Sequence, residues 1–498
     1  MFEVFIELFS VAFSAFEIVL DNFEFVIIGV IAGMIVGVIP GMGGPVILSI
    51  LLPLSIGMDS EPAFILLSAG MGATTFSGSI TAILLNVPGT VSNAATLLDG
   101  YPMAREGRSA EAITVSALSS AIGATLAIIV FIILIPVIID VALLFGSSEM
   151  VWIITLGLVV IPLLAGERFL GGLITASLGV VVAFMGHSAV TGQYRMTFGQ
   201  AYLTDGVSIV PLAIGLFAIA EMLRLLAAPK ELTIADSKLE IVGSRISGVK
   251  SILQNKFLMV RCSIIGFFIG TIPGAGGAAA TFISYGHGVS SSKEPETFGQ
   301  GNIQGLIASE SANDAKDGGQ LIPTLGLGIP GSPSMAILLG AFLVHGIEIG
   351  PRMLIDYTEL MLTIAIALLI SNILTSAVGV IFCNVISKVA AVPVTQLAPV
   401  ILAISLMATF IVSFTFVDLY VAMIFGIFGL VLIKLGISRV PFLLAFVLGV
   451  LWEQNFHRAM IFADDSIYAA FFTGWLNLLL FAAVVIFLTL PLYRMYKN

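Results

Sequence analysis

The feature that most limits what this chain can fold into is a series of long apolar runs, Ile113–Asp140, Thr363–Cys383 and Leu476–Leu490 among them. At a rise of about 1.5 Å per residue such runs cross, or nearly cross, a hydrocarbon core of roughly 30 Å, and roughly 10–12 of them can be drawn along the sequence. Lipid offers the backbone no hydrogen bonds, so only helices and closed barrels span it. A barrel strand alternates apolar and polar residues, whereas these runs are apolar on every side. The reading is therefore an all-α polytopic membrane protein. Composition agrees: 58% of the residues are apolar and 10% charged, against about 25% charged in soluble chains.

The N-terminal stretch carries Glu3, Glu7 and Glu17 and no Lys or Arg before residue 21, so it lacks the positive flank of a cleaved signal peptide. Residues 1–22 are expected to form an interfacial or re-entrant helix. Six of the 20 basic residues (Lys230, Lys238, Arg245, Lys250, Lys256 and Arg261) fall between Ala228 and Arg261. That clustering marks residues 228–256 as a cytoplasmic linker by the positive-inside bias. Glu231, Asp236 and Glu240 dilute the patch and the whole chain carries −10, which argues against a nucleic-acid surface. Cys262 and Cys383 lie in apolar runs far from any metal or redox spacing and read as packing residues.

The linker separates two copies of one pattern. Gly33-Met-Ile-Val-Gly37-Val-Ile-Pro40-Gly41-Met-Gly43-Gly44 recurs as Gly266-Phe-Phe-Ile-Gly270-Thr-Ile-Pro273-Gly274-Ala-Gly276-Gly277. Each copy then reaches a second break, Asn86-Val-Pro88-Gly89-Thr90 in the first and Gly328-Ile-Pro330-Gly331-Ser332 in the second. A weaker echo pairs Leu178-Gly-Val with Leu448-Gly-Val. Residues 23–227 and 257–498 are thus expected to be two transmembrane repeats with broken or re-entrant helices. Such duplications place the substrate site between the repeats, near the bilayer midplane, and spacing alone leaves inverted and parallel arrangements both open.

Pro removes a backbone donor and Gly tolerates angles other residues resist, so each Pro-Gly pair ends or unwinds a helix. Inside a membrane the freed polar groups must be buried in protein or line a wet cavity. A half-helix starting after Pro40-Gly41 or Pro273-Gly274 points N–H groups and partial positive charge inward, which suits a carboxylate. The expected substrate-binding set is Pro40, Gly41, Gly43, Gly44, Asn86, Pro88, Gly89, Thr90, Ser92, Asn93, Pro273, Gly274, Gly276, Gly277, Pro330, Gly331 and Ser332. By contrast Gly29, Gly33, Gly37, Gly266 and Gly270, spaced by four, read as helix-packing residues.

Ser309-Glu310-Ser311-Ala-Asn313-Asp314-Ala-Lys316-Asp317 concentrates charge between apolar runs. It is either a surface loop or an intramembrane segment, and in the second case Glu310 and Asp314 share a helical face suited to a cation. Ser79, Glu310, Asn313 and Asp314 are the candidate cation-coupling residues, with Na⁺ or H⁺ as the ion and no cofactor or metal. His187, His287, His345 and His457 are isolated, and only His287 is placed to titrate in a proton-coupled cycle. The sequence has no His-Glu-x-x-His, no Walker phosphate loop and no Gly-x-Ser-x-Gly, so neither enzyme chemistry nor ATP-driven transport is indicated. The expectation is a secondary transporter for a small organic anion; a passive channel or exporter built on the same breaks is the alternative.

At these residues the chain resembles the large membrane subunit of the tripartite tricarboxylate transporters, the TctA type. The resemblance runs from about Val26 to about Ala459. It rests on the two Pro-Gly-x-Gly-Gly breaks, on Ala82–Thr90 continuing through Ala94–Ala104, on Leu325–Ser332, and on the closing segment Phe446–Ala459 with Trp452, Glu453 and Arg458. It implies a multi-pass permease of the inner (plasma) membrane that imports citrate or a related di- or tricarboxylate with a cation gradient. The partners it implies are a small four-helix membrane subunit and an extracytoplasmic solute-binding protein, and the repeats it implies are inverted. Two segments depart from the family pattern: Met71–Ser79 lacks the tyrosines usual there, and Asn313–Asp317 is more charged than is usual.

Overall fold

The computed structural model describes residues 2–164, 169–188, 190–227, 241–274, 276–350, 353–390 and 394–497. Residues 228–240 of the expected linker, Lys230 and Lys238 included, lie outside them.

The chain is helical almost throughout. In the first half α1 (Phe2–Asp21) is followed by α2 (Phe23–Gly37), with a 72° bend between them. The Pro40-Gly41 break leads into α3 (Gly44–Ser55) and α4 (Ser60–Leu85). The Pro88-Gly89 break leads through a 3-10 turn, Val91–Asn93, into α5 (Ala94–Arg105), α6 (Ser109–Ala142), α7 (Ser147–Leu164) and α8 (Phe169–Ala183). A two-residue hairpin, β1 (Gly186–His187) with β2 (Tyr194–Arg195), precedes α9 (Ile209–Ala213), which passes through a π-helical stretch into α10 (Ala220–Ala227).

The second half repeats the order. Its first helices, α11 (Arg245–Gln254) and α12 (Lys256–Gly270), meet at 78°, as α1 and α2 do, although sequence placed 245–254 in the linker. Then come α13 (Gly276–Ser291), α14 (Ile303–Leu327), α15 (Pro333–Val344), α16 (Met353–Asp356), α17 (Thr358–Ile381), α18 (Cys383–Ala390) and α19 (Val394–Ser413). The chain closes with α20 (Phe416–Lys434), α21 (Val440–Phe462), α22 (Ile467–Phe471) and α23 (Trp475–Lys497).

Among the described residues five helices are long and apolar enough to cross a membrane, namely α4, α6, the continuous Ile209–Ala227, α17 and α20, and the two bent pairs raise the number to seven. Other apolar runs form shorter helices such as Gly44–Ser55, Phe169–Ala183 and Pro333–Val344. The runs expected to cross or nearly cross the membrane thus form long helices, bent pairs and shorter helices, and Gly44–Ser55 and Pro333–Val344 are short because each starts at a Pro-Gly break.

The glycines at fourfold spacing pack helices together. A Cβ on Gly33 would lie 2.8 Å from Ala73 Cβ of α4, one on Gly266 2.6 Å from Ala312 Cα of α14, and one on Gly270 2.9 Å from Lys316 Cα. Aligning the second breaks makes Thr75 of α4 the counterpart of Asp317 of α14. These counterparts touch, since Thr75 Oγ1 donates to Asp317 Oδ2 at 3.4 Å, and four residues further along α4 Ser79 reaches back to Glu310. The two central helices therefore run antiparallel at their contact.

The weaker echo does not mark equivalent helices. Leu178–Val180 lies in α8 and Leu448–Val450 in α21, and these two helices pack on each other: a Cβ on Gly179 would sit 3.0 Å from Ala445 Cβ. The helix matching α8 is α20, whose Gly429 packs in the same way on Leu216 and Ala220. Two ion pairs join the halves at matching places. Arg439, just before α21, reaches Glu221 of α10 at 3.2 Å, and Arg195, before α9, holds Glu453 of α21 at 2.8 Å.

Candidate functional site

Each half ties its two breaks together through the main chain. Gly41 N–H donates to the Gly89 carbonyl at 3.0 Å, and Gly274 N–H donates to the Gly331 carbonyl at 3.2 Å. Gly41 and Gly274 have φ of 82° and 78°, the left-handed backbone that makes glycine the fitting residue after each proline. The second breaks also match: α4 ends on Asn86 and α14 on Gly328, both left-handed caps. Thr90 and Ser332 then cap the following helical turns.

The halves meet at these breaks reciprocally. A Cβ on Gly44 of the first half would strike Ser334 Oγ of the second. A Cβ on Gly277 of the second half would lie 2.7 Å from Ser92 Cβ of the first and 2.5 Å from Lys316 Cε. Ser334 and Ser92 occupy corresponding positions, two residues beyond Ser332 and Thr90. Gly43 faces Thr90, where a Cβ would lie 2.8 Å from Thr90 Cγ2. Pro40, Pro88 and Pro273 are half-buried and Pro330 is buried, each at the end of a helix that stops here. Nothing lies within 4 Å of a Cβ built on Gly276, so that glycine faces open space.

Not every residue of the expected set is free for a ligand. The Asn93 side chain is buried and spent inside the protein: Oδ1 accepts from Thr90 N–H at 3.0 Å, and Nδ2 donates to the Thr75 carbonyl at 3.0 Å and to Ser79 Oγ at 2.7 Å. It is a post that holds the second break against α4. Asn86 is exposed at its cap. Thr90 Oγ1 and Ser92 Oγ are 2.8 Å apart at the junction.

Next to the junction lies the polar helix. Ser309–Asp317 is not a surface loop: it belongs to α14, which is buried from Gly305 to Leu321. Glu310 is fully buried and accepts from Ser79 Oγ at 2.8 and 3.0 Å, from Ser116 Oγ at 2.7 Å, and from Thr96 Oγ1. Three hydroxyls from α4, α5 and α6 thus converge on one carboxylate. Among the described residues Asp314, 1% exposed, has no hydrogen-bond partner at either oxygen, and neither has the buried Asn313 amide. Lys316 Nζ pairs with Asp317 Oδ1 at 2.9 Å. Further buried polar atoms without partners line the neighbouring helices: Ser119 and Ser120 of α6, and Asn372, Thr375 and Ser376 of α17.

Sequence reading missed three groups. Thr96 and Ser116 hold Glu310, yet neither carries charge, and Ser116 is one of four hydroxyls between Thr114 and Ser120. Glu221 and Arg224 sit against the first break, where a Cβ on Gly41 would lie 2.7 Å from Glu221 Oε1 and 2.9 Å from an Arg224 Nη. Asp99 of α5 reaches the polar connection between α13 and α14, accepting from Gly299, Gly301 and Asn302 N–H at 2.9, 2.9 and 2.7 Å and from Tyr285 Oη at 2.9 Å. The signal for the last two was present only as charge inside apolar sequence. Of the histidines, His345 Nε2 lies 3.2 Å from Ser55 Oγ and His457 Nε2 3.9 Å from Glu453, while His287 Nε2 is buried without a partner among the described residues.

Comparison with known proteins places this architecture. An uncharacterised 52.8 kDa protein from the TAR-I ttuC' 3' region of Agrobacterium vitis is 35% identical over 451 residues, 88% of this chain and 87% of the relative. A second protein, from the TAR-II ttuC' 3' region of the same organism, is 36% identical over 196 residues, 39% of this chain and 81% of the relative. No solved structure matches the chain. The family model of the tripartite tricarboxylate transporter TctA family matches residues 23–444, and by that match the chain belongs to this family of multi-pass membrane transport components.

Proposed function

We propose that the chain is the permease subunit of a secondary active importer, and that its junction of four breaks binds a di- or tricarboxylate. The observation that carries this reading is the reciprocal seating of the breaks, with Gly44 against Ser334 and Gly277 against Ser92. Helices α3, α13 and α15 and the turn leading to α5 all begin at this junction, so the partial positive charge of these helix starts favours an anion there. Helices α2, α4, α12 and α14 end beside it, which offers carbonyl oxygens to a cation.

The coupling ion acts at the polar helix. Glu310, Asp314 and Asp317 put three carboxylates against one ammonium, Lys316, in the protein interior. A low-dielectric interior disfavours that excess of negative charge, and Na⁺ or protons taken up with the anion offset it. Ser79, Asn313 and Asp314 lie in the same helices and complete the proposed coupling region. We place the protein in the inner (plasma) membrane, with inverted repeats, an extracytoplasmic solute-binding protein that delivers the anion, and a small four-helix membrane subunit. The antiparallel contact of the counterpart helices α4 and α14 supports the inverted arrangement.

The test is calorimetric titration of the purified protein with citrate and with succinate, with and without Na⁺. One carboxylate per chain is expected, with binding lost in both Gly44→Ala and Gly277→Ala. Full binding in both variants would contradict the junction as the site.

A further inference from the structure

Lys316 stands out among the buried groups at the junction. It is 6% exposed, and its ammonium has one hydrogen-bond partner among the described residues, Asp317 Oδ1 at 2.9 Å. An ammonium has three donors, so two are unspent. Its Cε lies against the first turn of α13, 2.5 Å from where a Gly277 Cβ would be, with Ser92 Cβ 2.7 Å from the same point. Beyond Ser92 stands Thr90, whose hydroxyl is 2.8 Å from that of Ser92.

This placement is electrostatically unusual. The N-terminal turn of a helix carries partial positive charge, and α13 is 16 residues long. A lysine held against that turn is repelled unless negative charge joins it. Of the three carboxylates on α14, Glu310 is taken up by hydroxyls and Asp314 makes no hydrogen bond to the ammonium among the described residues, so Asp317 alone pairs with it, and its other oxygen accepts from Thr75 at 3.4 Å. A self-contained Lys316–Asp317 pair would leave two ammonium donors unsatisfied at a buried junction, beside a helix end of the same sign. The absence of a side chain at Gly277 is what lets the lysine stem come so close.

We infer that Lys316 pairs with a carboxylate of the transported anion, which bridges its ammonium, the first turn of α13 and the hydroxyls of Thr90 and Ser92. This rests on the reading of the chain as a carboxylate importer and deepens it: one side chain contributes the positive charge that selects the anion. Asp317 then holds Lys316 between substrates.

The experiment measures uptake of labelled citrate and succinate into proteoliposomes holding the complete transporter, comparing wild type with Lys316→Met, Asp317→Asn, the double variant and Lys316→Cys. Loss of a charge-assisted contact predicts a KM raised about tenfold or more in Lys316→Met. The double variant is expected to show the same raised KM, while Asp317→Asn alone, which removes a carboxylate of the coupling region, lowers the maximal rate without raising KM. A purely structural ion pair predicts the opposite, with the neutral double variant restored. Aminoethylation of Lys316→Cys by a methanethiosulfonate reagent, which returns an ammonium, should recover uptake, separating lost charge from lost folding. Wild-type KM in Lys316→Met, or in the double variant, would overturn the inference and leave the importer reading standing. No uptake of either carboxylate by wild type would overturn both.

Discussion

Glu310 shows what a single residue reveals here. Three hydroxyls on three helices converge on its carboxylate, one of them, Ser79 Oγ, itself accepting from Asn93 at 2.7 Å. The chain Asn93–Ser79–Glu310 links the second break to the polar helix, so the proposed anion and cation regions share one hydrogen-bond network. Glu310→Gln keeps the size of the side chain and removes its charge. It should lower cation-dependent uptake about tenfold or more while leaving the protein folded, checked by uptake against Na⁺ concentration and by thermal melting in detergent. Asn93→Ala removes bonds to Thr90, Thr75 and Ser79 and should lower stability by about 2–3 kcal/mol, read in the same melting experiment. The sequence singles out Ser79, Asn93, Glu310 and Asp314, because polar residues in apolar runs are conspicuous. It does not indicate that Asn93 is spent internally, because that depends on how the second break folds back on α4, or that Thr96 and Ser116 complete the Glu310 cradle, because those two pairings span more than a hundred residues.

At the level of elements, the helices are held by close backbone approach. Gly123 of α6 sits on the Ser311 backbone of α14, where a Cβ would come within 3.1 Å of the carbonyl carbon. Gly123→Ala should therefore cost about 1–3 kcal/mol, because the obstacle is backbone and cannot swing aside. Gly286→Ala in α13 meets nothing within 4 Å and should match or slightly exceed wild-type stability, since alanine favours a helix by about 1 kcal/mol. Thermal melting of the two variants side by side distinguishes them. The Gly-x-x-x-Gly spacing is legible as packing because fourfold periodicity is local to one helix. The polar helix is less so, since a charged segment reads equally well as a loop until its neighbours are known. Only burial by α4, α6 and α12 shows it as a central helix.

Over the whole molecule, the duplication accounts for most of the architecture. The repeated breaks are legible because Pro-Gly-x-Gly-Gly is rare and recurs in order. The later helices of each half have diverged, which is why the Leu-Gly-Val echo points to the wrong partner. The halves are also tied by Arg439–Glu221 and Arg195–Glu453, which no sequence motif announces. Arg195→Ala should cost about 1–2 kcal/mol, since Glu453 is largely buried and Arg195 is partly exposed, and Arg195→Ala with Glu453→Ala should recover part of that loss. Melting of the single and double variants checks the coupling. The central claim is that the two halves form one carboxylate site driven by a cation gradient, and the most direct test is accumulation of labelled citrate and succinate in proteoliposomes holding the complete transporter under an inward Na⁺ or H⁺ gradient. Internal concentrations are expected to rise above the external level and to collapse when the gradient is dissipated. Equilibration to equal concentrations with either gradient intact would contradict it and identify a passive pore.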